Sequence, residues 1–358
     1  MCGIYYAVGK ARIIALNMVL MMLGTLGALA EPAAAFPGQP GQSSALGIDV
    51  PNPEASLLVF SDHPERVKEY GLLCQGGLLP LRPVRFQFYH QGGLDTPLYL
   101  VLRLRNRGPQ RALISAVDGV GLGTADNYFQ AGHQNNLEFL PKLLKGKGSC
   151  LAVGPGEEIT VWSQDLPKEI VASGTVQWCL LQGGKIEYEL YSCTSPEGPF
   201  YAHLLFNPKD VHARGIYPEA QRRRESTIDV GRWQGDKDQE FWSIGAARQP
   251  SAFSGPDLKG DYGVLYCWSL RLYNSSEETK KIEFALNPRG GKATGTFMAK
   301  HSGQWELWEC PDELEAAKFY GLRELEIPAH SEEHFVIYTI PEGASNYPVR
   351  LVVRRKCQ

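Results

Sequence analysis

Short apolar segments that alternate with polar positions recur along most of the chain, punctuated by Gly, Pro, Asn and Asp. Leu98, Leu100, Leu102 and Leu104 alternate with Tyr99, Val101, Arg103 and Arg105, the period-two pattern of a strand with one buried face. Val84, Phe86 and Phe88 alternate in the same way with Arg85, Gln87 and Tyr89, and both segments are expected in one sheet. Strands are also predicted over Ala112 to Val117, Thr175 to Gln182, Lys185 to Cys193 and Phe200 to Phe206. Gly183-Gly184 separates two of these and fits a two-residue hairpin, because glycine accepts the positive φ such turns require.

In the second half, Val264, Tyr266, Trp268, Leu270 and Leu272 form a long alternating run, answered by Ile282, Phe284 and Leu286 beyond a turn at Asn274 to Thr279. Phe335 to Ile340 and Val349 to Val353 complete the strand pattern. Between Asp126 and Leu144 the spacing of Tyr128, Leu137, Leu140 and Leu144 becomes helical, with Asp126 as a candidate cap. A short helix is expected to start near Asp312, after Pro311. Many short strands and almost no helix predict a mainly β fold, two antiparallel β-sandwich domains with one helix inserted in the first.

A length of 358 residues suits two such domains. The polar stretch Lys209 to Arg224 places a connector between a first sandwich over 56–208 and a second over 225–358. Before them, Lys10 and Arg12 precede an apolar run from Ile13 to Ala30, followed by Ala28-Leu29-Ala30 and Ala33-Ala34-Ala35. That is the order of a secretory signal over residues 1–35, or, since the run is about 18 residues, of an uncleaved anchor. Residues 36–55, rich in Pro, Gly and Ser, read as a flexible leader. Either reading places the body of the chain outside the cytoplasm, and the membrane is involved only through the N-terminal segment.

A formal net charge of −3 gives no basic face for nucleic acid. The runs Arg222-Arg223-Arg224 and Arg354-Arg355-Lys356 lack interleaved aromatics and read as solvated connector and tail. Seven cysteines follow the signal. Cys150 to Cys193 and Cys267 to Cys310 are candidate bridges by placement, with buried thiols as the alternative.

Five stretches carry a resemblance. Ser61-Asp62-His63-Pro64-Glu65, Phe88-Tyr89-His90, Ala213-Arg214-Gly215, Asp261-Tyr262-Gly263-Val264-Leu265-Tyr266 and the closing run Pro341 to Val349 resemble an exported bacterial family of two-part β proteins. The resemblance implies export and a bacterial source; it brings no assigned activity and no catalytic residues.

Candidate chemistry is sparse. Gly119-Val120-Gly121-Leu122-Gly123 superficially resembles a phosphate-binding turn, but it lacks the final glycine and the P-loop lysine. His330 and His334 are four apart, which on a strand separates them by about 13 Å and argues against a metal clamp. Asp62, His63 and His90, with Glu65 nearby in sequence, form the best-placed polar cluster of the first domain, set against ordinary turn chemistry at Asp-His-Pro. Trp305, Trp308 and Arg289 are provisional ligand-binding residues, the tryptophans because residues three apart on a strand face opposite ways. No catalytic residue, metal site or cofactor is assigned. The reading is an exported, non-enzymatic envelope or secreted protein that binds a protein or polysaccharide partner. The alternatives are an extracellular hydrolase of carbohydrate or peptide, and a membrane-tethered scaffold.

Overall fold

In the computed structural model, residues 56–235, 238–252 and 255–356 are described. The signal or anchor, the leader, Cys2 and Cys357 lie outside them. The first half contributes β1 (Leu57–Ser61), β2 (Arg66–Val67), β3 (Gly71–Leu78), β4 (Val84–Gly92), β5 (Tyr99–Asn106) and β6 (Ala112–Thr124), then α1 (Phe129–Leu144). It continues with β7 (Ser149–Val153), β8 (Glu158–Asp165), β9 (Ile170–Gln182), β10 (Ile186–Cys193) and β11 (Arg214–Tyr217). One sheet runs β11-β1-β4-β9-β6-β7, with β2 also on β4, and it faces the sheet β3-β10-β5-β8.

The second half contributes β12 (Gln221–Asp229), β13 (Gln239–Ile244), β14 (Arg248–Gln249), β15 (Leu258–Lys259), β16 (Leu265–Tyr273), β17 (Lys280–Pro288) and β18 (Ala293–His301). β19 (Gln304–Leu314), β20 (Tyr320–Ile327), β21 (Glu332–Thr339) and β22 (Val349–Arg355) follow. Its sheets are β12-β16-β21-β18-β19 and β13-β22-β17-β20, with β14 and β15 forming a two-stranded ribbon. The mainly β sandwich architecture is therefore as the alternation predicts.

Each sandwich is held by the inward residues of its strands. Phe86, Phe88, Leu100, Leu102, Leu104, Trp178 and Tyr188 meet in the first core, and Trp268, Phe284, Phe297, Trp308 and Phe335 in the second. Burying one such side chain contributes about 1.5–3 kcal/mol. The second core extends onto Leu58, Phe60 and Tyr217 of the first sandwich, so the sandwiches share apolar contact across their junction.

Several pairings differ from the expected ones, because alternation reports which side of a strand is buried and not which strand lies beside it. β4 and β5 belong to opposite sheets of the first sandwich, and so do β9 and β10. Gly183, at φ +88°, turns the chain from one sheet to the other instead of closing a hairpin. β16 and β17 likewise face each other across the second core. Phe200 to Phe206 is not a strand; its one bridge is Leu204 to Leu72, and Leu204 and Phe206 are exposed. The expected helix at Asp312 falls within β19. The stretch predicted as connector holds β11, paired with β1, and β12, paired in parallel with β16, so Arg222-Arg223-Arg224 lies on a strand.

The described cysteines form no disulfide with one another. Cys150 and Cys193 lie in different sheets, and β21 and β18 stand between Cys267 and Cys310. Three strand spacings, about 14 Å, are beyond the reach of a disulfide.

The predicted helix is present, but Tyr128 and not Asp126 stands at its N-cap position, without a side-chain capping hydrogen bond, and Asp126 is exposed. It lies on the outer face of β6, and the alternating glycines explain how. A Cβ on Gly119 would come within 2.6 Å of the Asn135 carbonyl oxygen, on Gly121 within 2.1 Å of that of Ala131, and on Gly123 within 2.7 Å of that of Asn127. These glycines are mid-strand and serve close helix packing, not phosphate binding.

α1 also meets the second sandwich. Gly132 lies against Gly343, Asn136 Nδ2 donates to the Ile340 carbonyl at 2.7 Å, and Phe139 and Leu140 pack with Leu265, Met298 and Ile340. Beneath it runs a polar layer that alternation alone assigns to solvent. Arg85, Gln87, Ser173, Thr175 and Gln177, all on the outer face of β4 and β9, are buried. Arg85 donates to the carbonyls of Ala220 (2.6 Å) and Gly263 (3.0 Å) and to Gln177 Oε1 (2.7 Å). A fully buried guanidinium thus ties β4 to the start of the second sandwich.

Candidate functional site

A cleft of about 390 Å³ opens where the two sandwiches and the N-terminus of α1 meet. A second hollow of about 400 Å³ adjoins it, and Phe60, Asp62, His212 and Tyr262 border both. The pair forms one groove, each part within the roughly 300–1,000 Å³ range of small-ligand sites.

Phe60, at the end of β1, stacks on Tyr262 with ring centroids 5.8 Å apart and planes 10° from parallel. Tyr262 sits edge-on to Tyr347 and donates its hydroxyl to the Ser345 carbonyl at 2.7 Å. Tyr89 and Tyr128 also line the cleft, and Gln91, Ser345 and Asn346 add amide and hydroxyl groups. The five short stretches singled out in the sequence converge here. They supply Asp62 and Glu65, Tyr89, Ala213, Tyr262, and Gly343 to Asn346, with Ala213 in the second hollow.

The polar centre is a chain of acids and a histidine. The Glu65 amide donates to Asp210 Oδ2 at 2.8 Å, and His212 Nδ1 lies 2.5 Å from Asp210 Oδ1. His212 Nε2 is 3.4 Å from Glu65 Oε2. Burial alone would raise the Asp210 carboxyl, but the amides of His212 and Glu65 outweigh it and hold the group below the usual range. Asp62 behaves in the opposite way. Burial, with the nearby charges of Glu65 and Asp210, pushes its carboxyl well above the ordinary value. Its Oδ1 is enclosed and has no hydrogen-bond partner, although the residue as a whole is only partly buried.

The other members of the expected cluster face elsewhere. His90 is fully buried, with Nε2 3.1 Å from Ser61 Oγ and Nδ1 3.0 Å from the Pro64 carbonyl. His63 is buried against Phe206 and accepts the Asn207 amide at 3.1 Å. Neither lines the cleft, so Asp62, His63 and His90 do not assemble into one open acid-base site. Glu65, which the sequence places beside that cluster, does border the cleft; His212 and Tyr262 were absent from the predicted cluster. Residues 62 and 65 border the cleft together because they lie in the short turn between β1 and β2, whereas His212 and Tyr262 arrive from distant segments that no local spacing links.

His90 gives a testable pH dependence. Burial lowers it to about 4 from a reference of 6.5. The unfolded chain therefore takes up a proton below pH 6.5 that the folded chain refuses until about pH 4. The stability that His90 contributes is full above pH 6.5 and is lost as pH falls through that window, by roughly 3 kcal/mol. Urea unfolding of His90→Gln between pH 7.5 and 4 is expected to show a flatter acid decline than the parent; identical slopes would sink this assignment.

The remaining candidates are accounted for singly. Trp308 is buried among Phe284 and Phe335, and Trp305 lies on the other face against Tyr338 with Lys300 over its ring. Arg289 is exposed on the loop after β17. His330 and His334 are exposed beside Glu277 and Glu332 respectively. No three His, Cys, Asp or Glu side chains among the described residues are grouped to hold a metal. Among those residues no helix is long and apolar enough to cross a membrane.

No protein-family profile matches the chain, and no curated protein matches it in sequence. Among solved structures it is similar to the N-terminal tandem CBM22 domain of Paenibacillus barcinonensis Xyn10C, at 8% identity over 74% of this chain and 80% of that one, with a TM-score of 0.16. The human MASP-1/3 CUB1-EGF-CUB2 fragment matches at 10% identity over 79% and 99%, with a TM-score of 0.21. A Macrobrachium rosenbergii nodavirus structure matches at 9% over 94% and 98%, with a TM-score of 0.17. Likeness at this level carries no functional argument, which rests on the groove itself.

Proposed function

We propose that the protein is exported and binds a polysaccharide chain in the groove between its sandwiches, without cleaving it. The observation that carries this is the lining of the first cleft. Tyr89, Tyr128 and Tyr262 stand beside Asp62, Glu65, Gln91 and Asn346, with no Lys or Arg among them. Flat aromatic surfaces and planar hydrogen-bonding side chains match the apolar faces and hydroxyl edges of sugar rings. Two hollows in series suit a chain longer than one ring. The burial of His63 and His90 supports a binding role over a hydrolytic one built on the Asp62, His63 and His90 cluster. Export follows the N-terminal pattern and remains part of the proposal.

Isothermal titration of the purified chain against a panel of neutral, acidic and amino-sugar oligosaccharides tests the reading. At least one class is expected to bind, and Tyr128→Ala is expected to weaken it about tenfold, a change of roughly 1.4 kcal/mol. Tyr128 is partly buried on the cleft wall, so its loss leaves both cores intact. An absence of binding across the panel would overturn the proposal.

A second reading, a protein partner, is favoured by one segment. Between β10 and β11, Val211 is 85% exposed, Phe206 66% and Leu204 50%. The segment is nonetheless anchored, with the Leu205 amide on the Leu72 carbonyl and Arg214 Nη1 donating to the Leu205 carbonyl. Exposed apolar side chains on a fixed segment are a common mark of protein contact. Val211 also borders the second hollow, so such a partner would compete with ligand there.

A further inference from the structure

We propose that Tyr262 is the specificity-determining residue of the groove, a fixed aromatic platform that one sugar chain lies across, so that recognition requires a chain long enough to enter both hollows. This rests on the polysaccharide reading above and names the class of its ligand, an extended oligosaccharide in place of a single sugar.

The two hollows share Phe60, Asp62, His212 and Tyr262, while Tyr89 and Tyr128 border only the first and Arg248 and Lys259 only the second. Of the two shared phenyl-type rings Phe60 is buried, whereas Tyr262 is half-buried and borders both hollows. A ligand confined to one hollow meets one set of side chains. A chain that spans both passes Tyr262.

The ring is immobilised by its neighbours. Phe60 stacks on it, Tyr347 meets it edge-on, and its hydroxyl donates to the Ser345 carbonyl. Its backbone is held from both sides. The Val264 amide closes a turn on the Asp261 carbonyl at 2.9 Å, and Gly263, third in that turn, has φ +83°, a value that calls for glycine. The Gly263 carbonyl accepts from Arg85 at 3.0 Å. On the other side Asp261 stands at φ +51°, uncommon outside glycine although aspartate tolerates it better than most. The Asp261 side chain is fully buried and accepts from the Tyr266 hydroxyl at 2.5 Å, Arg222 Nε at 3.1 Å and Gln249 Nε2 at 3.2 Å. Asp261 is thus a positioning residue, acting through Tyr262.

Core packing alone does not account for such a tether, because the ring it fixes is only partly packed on the second core and lines the groove. Backbone outliers of this kind cluster where a ligand is clamped. A ring locked before binding loses little freedom on binding, which favours affinity for a chain that fits it.

The test is isothermal titration of the full chain with 1,4-linked oligomers of glucose, N-acetylglucosamine and galacturonic acid, each from one to six rings. In a series that binds, affinity is expected to climb at least about tenfold at the length that first reaches the second hollow, and to level off beyond it. Tyr262→Ala is expected to abolish that step and Tyr262→Phe to keep it. Asp261→Ala is expected to abolish it as well, and Asp261→Asn, which tolerates the same φ, to retain it. Arg248→Ala, an exposed change that borders the second hollow alone, reads the step with both cores intact, lowering the affinity of long chains and not of short ones. Single rings binding within about twofold of six-ring chains, or a step that survives Tyr262→Ala, would overturn this inference and leave the polysaccharide reading standing. Failure of every series would remove both proposals together.

Discussion

Arg85→Ala is expected to lower unfolding stability by about 3–5 kcal/mol, a large share of the 5–15 kcal/mol that holds a typical domain. The guanidinium is fully buried, with no carboxylate among the partners described for it, and burial alone lowers it to about 9. Holding it there has a desolvation cost, offset by hydrogen bonds to Ala220, Gly263 and Gln177. Truncation removes that cost but strips the guanidinium from the Gly263 carbonyl and Gln177 Oε1, each buried acceptor worth about 1–3 kcal/mol, and opens a cavity, while the Ala220 carbonyl keeps the Leu265 amide. Arg85→Met, which fills the space without donors, is expected to lose less than Arg85→Ala. Urea midpoints decide the matter: a loss under about 1 kcal/mol for alanine would show that the tie between β4 and the second sandwich is dispensable.

Gly121→Val is expected to be of similar severity for a different reason. The added Cβ would meet the Ala131 carbonyl oxygen at 2.1 Å and the Asn135 nitrogen at 2.8 Å, both backbone atoms of α1 that no rotamer change relieves. The helix must lift from β6, and overpacking of this kind costs about 1–3 kcal/mol or more. Gly184→Ala is the control, since a Cβ there meets nothing within 4 Å. Loss of near-ultraviolet dichroism and of thermal stability in the first variant, with neither in the second, is the expected result. Equal behaviour would refute the packing role assigned to the glycines.

The strands were legible because period two survives in single segments such as Leu98 to Leu104, and most predicted strands were found within a few residues. Sheet membership was not, as Gly183 shows: a glycine that permits a tight turn is equally useful for passing between sheets. The polar layer was hidden for a related reason. Arg85, Gln87 and Gln177 occupy the positions that alternation assigns to solvent, and their burial depends on a helix and a second sandwich that arrive from elsewhere. The site was legible in fragments. Asp62 was singled out, and the stretches around Tyr89, Tyr262 and Gly343 were noted for resemblance, yet only the tertiary fold brings them to one place. His63 was drawn inward by the same turn that leaves the acid at the rim, while His90 is buried within β4.

The run from Pro341 to Pro348 gives the groove an unusual dependence. Its Gly343 presses on α1 and its Ser345 and Asn346 border the cleft, while between them and the helix Glu342, fully buried, accepts from Thr296 at 2.6 Å and from Thr294, with His133 of α1 3.3 Å away. Neither sandwich owns the cleft. Excising either half would abolish the pocket outright instead of halving it, because the same residues shape the cleft and hold the junction rigid.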